Sequence, residues 1–152
     1  MSQRLVPISD FSSGGWSPTP VYVQIDEETP SDADQVESPE LPVCQAFSVT
    51  LTPAATPPIV STAGHMVSAR LKKEGEGCAT ATVTLLEDGT PIASRNFDLT
   101  DEWGTYSFEL DAEEAASIFQ DSLNWRSFRS RNTVARLAER FSGSTPCGNL
   151  CG

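Results

Sequence analysis

Basic residues are scarce in this chain: ten Lys and Arg stand against 21 Asp and Glu, for a net charge of −11. Polyanionic DNA or RNA is therefore a poor partner for the body of the molecule. Imidazole is scarcer still. His65 is the only histidine, between Gly64 and Met66 at the mouth of an alternating run, and general-base work needs a nucleophile and an orienting group beside it. No G-x-S-x-G, Walker or H-E-x-x-H pattern supplies them. His65 thus reads as structural or solvent-exposed, and the chain as no enzyme, with no cofactor. No apolar run approaches 18 residues, so no transmembrane helix or membrane partner is expected, and MSQRLVPISD lacks an apolar stretch of signal-peptide length. The expectation is a soluble product made in the cytoplasm.

Metal-binding patterns are equally thin. Asp26, Glu27, Glu28, Asp32 and Asp34 offer oxygens for Ca²⁺ but lack EF-hand spacing, and a solubilising acidic loop explains them as well. Cys147 and Cys151 are too widely spaced for a zinc knuckle, and Cys44, Cys78 and His65 lie far away in sequence, so no metal is expected. Four cysteines permit three pairings. Cys44 and Cys78 are expected as buried thiols. Gly148 and Gly152 make a Cys147–Cys151 disulfide geometrically possible, and an intersubunit bond from that tail is equally conceivable.

What the chain does have is unevenly placed. The first 121 residues hold five bases and 20 acids, whereas residues 122–152 hold Arg126, Arg129, Arg131, Arg136 and Arg140 against Glu139. Such polarity suits a basic arm that clasps an acidic neighbour, or a solvated edge. Nine of the eleven prolines lie in the first 58 residues, which rules out long helices and central strands there. Residues 1–43 read as an extended, acidic, proline-rich arm with short strand pieces such as Val21–Ile25 and a surface loop over Asp26–Glu40. Its apolar side chains, Trp16 and Tyr22 among them, are expected to dock onto the body or onto a partner subunit.

From Gln45 the period becomes two. Phe47, Val49 and Leu51 alternate with Ser48, Thr50 and Thr52; Met66–Lys72, Cys78–Leu86, Ile92–Leu99 and Thr105–Leu110 follow the same rule, with Asp88-Gly89 as a hairpin signal. Asp111 with Glu114 three residues on marks the start of a short helix. Leu123, Trp125 and Phe128 suggest a final, irregular strand. Val134, Leu137, Ala138 and Phe141 then fit a helix template over Asn132–Phe141. The expected fold is all-β, an antiparallel sandwich over residues 44–128, with a basic, partly helical tail over 129–152.

GGWSPTP, IDEETPSDADQVESP and the body from His65 to Ile118, with its TVTLLEDGTPIA and WGTY strands, together resemble a group of small uncharacterised proteins of tailed bacteriophages. The resemblance covers about residues 12–120 and lapses after Ile118. It implies a jelly-roll-like sandwich displayed on the virion exterior as a capsid decoration (cement) protein, a head fibre or a tail attachment. Implied partners are the major capsid protein and other copies of the chain, a trimer being the arrangement the resemblance suggests. Trp16, Tyr22 and the five tail arginines are the candidate partner-binding residues. The alternative is a carbohydrate-binding adhesion module, with Trp103 and Trp125 as stacking platforms.

Overall fold

The computed structural model describes residues 4–27, 29, 31–38, 45–52, 64–74, 78–87, 90–119 and 133–142. In chain order these form β1 (Pro7–Ser12), β2 (Gln45–Leu51), β3 (Met66–Leu71), β4 (Cys78–Glu87), β5 (Thr90–Asp98), β6 (Gly104–Glu109), α1 (Ala112–Phe119) and β7 (Thr133–Ser142). The fold is all-β with very little helix. Five strands make an antiparallel sheet in the order β1-β2-β7-β4-β5, and β3 pairs with β6 in a separate two-stranded sheet.

Alternation determines which face each strand buries. In β4, Ala79, Ala81, Val83 and Leu85 are buried, while the threonines between them are half-buried. β5 returns antiparallel with Glu87 opposite Thr90, the register a two-residue connection requires. β3 and β6 lie in register from Met66 opposite Glu109 to Leu71 opposite Gly104. Their apolar side chains meet the larger sheet in two clusters. Val67 and Phe108 pack against Leu85, Ala93, Leu110 and Ala115, whereas Leu71 and Tyr106 pack against Ala79, Ala81 and Leu99.

Beyond the reach of β3 and β6, the arm packs against β2. Trp16 and Val21 are buried against Phe47 and Val49 of β2, with Tyr22, Ile25 and Val36 packed around them. Leu51 touches both this cluster and the one beneath β3 and β6. The arm enters through β1, whose proline stands at its first residue, where a missing donor is tolerated. It then turns at Gly14. A Cβ there would lie 1.6 Å from the Ala46 carbonyl oxygen, and φ is +56°, so the close approach to β2 requires glycine.

Two expectations are corrected. Val21–Ile25 is no strand piece: Tyr22–Gln24 is a single 3-10 turn. Both Asp10 carboxylate oxygens accept from the turn's leading amides, Val21 N–H at 2.8 Å and Tyr22 N–H at 2.7 Å, which draws the backbone into a turn. The helix expected over Asn132–Phe141 is instead β7, so the tail is not partly helical there. The segment satisfies both periods, and a place between β2 and β4 offers it two ladders at once, Gln45–Thr50 on one side and Cys78–Glu87 on the other. Residues 133–142 accordingly belong to the sheet and not to an appended tail. The strand expected around Leu123, Trp125 and Phe128 lies outside the described residues.

Candidate functional site

The two faces of the larger sheet differ chemically. Its inner face is apolar and covered. Its outer face carries a ladder of short polar side chains, each paired across β4 and β5. Thr80 Oγ1 donates to Asp98 Oδ1 at 3.0 Å, Thr82 Oγ1 donates to Asn96 Oδ1 at 2.7 Å, and the Thr84 and Ser94 hydroxyls lie 2.9 Å apart. Cross-strand bonding holds these rotamers, so the face loses little side-chain entropy on contact. β7 adjoins this row in register: Arg140 is opposite Thr80, Ala138 opposite Thr82 and Arg136 opposite Thr84. On the far side Arg136 is opposite Ser48 and Ala138 opposite Ala46.

A second polar surface lies on β3 and β6. The Ser68 and Ser107 hydroxyls are 2.8 Å apart. Arg70 forms a bidentate pair with Asp32, Nε to Oδ1 and Nη2 to Oδ2, tying the acidic loop to β3. The guanidinium holds the Asp32 carboxyl below its ordinary range. Trp103 is half-buried next to these cations, with Lys72 Nζ 5.2 Å and the Arg70 guanidinium carbon 6.0 Å from its ring centroid. Lys72 also pairs with Glu74 at 2.6 Å and Lys73 with Asp101 at 2.5 Å. Two of the four bases between residues 65 and 121, Arg70 and Lys72, thus meet at Trp103, each beside a carboxylate.

The third polar group is enclosed at the junction of β5 and α1. Arg95 Nη1 and Nη2 donate to Glu114 Oε1 and Oε2 at 2.8 and 2.9 Å, and its guanidinium lies 5.1 Å from the Phe108 centroid. Asp111 caps the helix by accepting from the Glu113 and Glu114 amides, and Glu114 accepts from Asp111 N–H at 3.0 Å, completing the capping box. The Arg95 side chain, then the Asp111 amide, hold the Glu114 carboxyl below its ordinary range. These bonds serve the helix start and the packing of α1 on β5. Asp111 and Glu114 showed this in their spacing; Arg95 carried no such signal.

The expected site residues are scattered by this fold. Trp16 is 4 % exposed and packs edge-to-face on Phe47, ring centroids 5.0 Å apart, inside the chain's own core. Tyr22 is half-buried in the same cluster. Arg136 and Arg140 fall in the central row of the larger sheet. Arg126, Arg129, Arg131, Trp125, Cys147 and Cys151 lie outside the described residues. The His65 carbonyl accepts from Leu110 N–H at 2.9 Å. Among the described residues no three His, Cys, Asp or Glu side chains gather as a metal site, and no helix is long and apolar enough to cross a membrane. Cys78 is disulfide-bonded and not the thiol expected. It alternates with buried Ala79 at the start of β4 and is half-buried.

Comparison with family models, curated proteins and solved structures finds no match to the chain.

Proposed function

We propose that this chain is a structural protein of tailed-phage particles, a capsid decoration protein whose jelly-roll-like β-sandwich binds the head shell from outside. The observation that carries the reading is the outer face of the larger sheet, where the Thr80–Asp98, Thr82–Asn96 and Thr84–Ser94 pairs adjoin the register positions of Arg136 and Arg140. A face of short side chains held by mutual bonds suits docking onto a broad surface, because little side-chain freedom is lost on contact. Repetition over a symmetric shell then multiplies a modest contact. The resemblance over residues 12–120 supplies the particle. Arm residues buried on β2 cannot also bridge to a neighbour, so in this reading the sheet face and not the arm meets the shell.

The test is to add purified chain to phage heads that lack it and count bound copies by densitometry and cryo-electron microscopy. Saturable binding at a number commensurate with the shell lattice supports the proposal. Thr82→Arg, which inserts a long side chain into the row of short ones, is expected to abolish binding while leaving the far-ultraviolet circular dichroism unchanged. Absence of binding, or full binding by the Thr82 variant, refutes it. Glycan binding that disappears in Trp103→Ala assigns the chain to adhesion instead.

A further inference from the structure

We infer that the disulfide of Cys78 runs to the C-terminal segment, to Cys147 or Cys151, and clasps the outgoing end of β7 to the start of β4. Cys78 is disulfide-bonded, and no cysteine among the described residues is free. Three candidates exist for its partner, Cys44, Cys147 and Cys151. The register of the larger sheet decides between them.

Gln45 on β2 lies opposite Glu139 on β7, and Glu139 lies opposite Ala81 on β4. Opposed residues on neighbouring strands have Cα atoms about 5 Å apart, so Gln45 and Ala81 are separated by about 10 Å with β7 between them. Cys78 stands three residues before Ala81, a further displacement of about 10 Å along β4. The Gln45 and Cys78 Cα atoms are therefore about 14 Å apart. Cys44 is bonded to Gln45, and consecutive Cα atoms lie only about 3.8 Å apart, so in any direction Cys44 stays about 10 Å or more from Cys78. A disulfide needs Cα atoms within about 6.8 Å of each other. Cys44 is out of reach.

The C-terminal segment, by contrast, starts beside Cys78. Ser142, the last residue of β7, is its register partner, and Cys147 and Cys151 follow five and nine residues later. Five residues extend up to about 17 Å, ample to return to a partner about 5 Å from Ser142, and Gly143, Ser144 and Pro146 are turn-forming residues. Such a bond excludes the Cys147–Cys151 pairing that their spacing allows. It also acts where the sheet is most exposed to fraying. β7 joins β2 to β4, and loss of pairing near a chain end is the usual first step of local opening. The bond forms as the two thiols pass two hydrogens to a small-molecule disulfide such as oxidised glutathione, which leaves as two thiols. A chain made under reducing conditions therefore acquires the clasp only on transfer to oxidising ones. The assignment stands independently of the phage reading.

Peptide mapping of the full chain tests it. The chain is refolded in a glutathione redox buffer, its free thiols are alkylated, and it is digested with trypsin without reduction. Cleavage places Cys78 in residues 74–95, Cys147 and Cys151 in 141–152, and Cys44 in 5–70. Mass spectrometry should find 74–95 joined to 141–152, whether or not 5–70 is attached as well, and fragmentation identifies which tail cysteine is bonded. Residues 74–95 joined to 5–70 alone, Cys78 recovered alkylated, or Cys78 bonded only in a covalent dimer overturns the assignment. Cys78→Ser should lower the thermal midpoint of the oxidised chain by at least about 5 °C, because the bond closes a long loop. In a phosphine reductant the variant and the wild type should coincide. Equal midpoints under oxidising conditions, or a gap that persists in reductant, would show that the bond does not secure the sheet.

Discussion

Trp16 separates two contributions that usually arrive together, and a pair of substitutions tells them apart. The indole is 4 % exposed, packs edge-to-face on Phe47, and its Nε1 finds no acceptor among the described residues. Truncation to alanine removes the ring from the junction of arm and sheet. Trp→Ala in a core costs about 3–5 kcal/mol, of which the aromatic pair supplies about 1 kcal/mol. Phenylalanine keeps a ring against Phe47 and deletes the unpaired donor, whose burial costs about 1–3 kcal/mol. The smaller ring loses packing of similar size, so Trp16→Phe is expected within about 1 kcal/mol of the wild type. Against a total stability of about 5–15 kcal/mol, the alanine variant alone should show a clearly lower midpoint. Equilibrium urea unfolding followed by far-ultraviolet circular dichroism reads both variants, with equal m-values as the check that only stability has changed. If phenylalanine costs as much as alanine, the indole N–H has a partner and the reasoning fails. If alanine costs less than about 1 kcal/mol, the arm does not hold to β2 as described.

Three further outcomes follow from the same geometry. Gly14→Ala is expected to destabilise by at least about 2 kcal/mol, since a methyl would collide with the Ala46 carbonyl at a positive φ; a thermal midpoint equal to wild type would contradict the packing of the turn on β2. Glu114→Ala should cost about 2 kcal/mol by removing the capping-box acceptor and the carboxylate that Arg95 meets with both terminal nitrogens. Because the folded Glu114 carboxyl titrates below its unfolded value of about 4.3, its stabilisation is complete above that value and is lost as pH falls through the folded pKa. Wild type and Glu114→Gln should therefore converge in acid, and a gap that persists there would show that the charge is not responsible. Asp32→Asn breaks an exposed pair and should leave the unfolding midpoint unchanged while speeding cleavage by a glutamate-specific protease at Glu27 and Glu37; unchanged cleavage would mean that Arg70 does not tether the loop.

The strands β2 to β6 were legible in the sequence because each is half-buried, and a half-buried strand must alternate. Phe47, Val49 and Leu51 on β2, and Ala79 to Leu85 on β4, show the period directly. α1 was legible for another local reason, the spacing of Asp111 and Glu114. The arm was not. Its attachment depends on one carboxylate, Asp10, reaching two amides eleven and twelve residues away, and on Trp16 meeting Phe47 across thirty residues; neither has a repeating signature. Likewise the pairing that ties Asp32 to Arg70 brings together two residues that look in sequence like ordinary surface charges.

β7 shows why local reading fails where the choice is not local. Val134, Leu137, Ala138 and Phe141 match a helical face, while Ala135, Leu137, Glu139 and Phe141 match one side of a strand, so the segment itself does not decide. The decision comes from its neighbours. Without β7 the larger sheet would separate into a β1–β2 pair and a β4–β5 pair, each with an added unpaired edge beside apolar side chains that the core needs together. A helix would satisfy its own backbone and leave both edges unpaired, whereas a strand satisfies itself and two neighbours in one arrangement. The same step carries Arg136 and Arg140 from a supposed tail into the row beside Thr80 and Thr84. Charge that reads as an appendage in the sequence thereby becomes part of the sheet on which the proposed docking face rests.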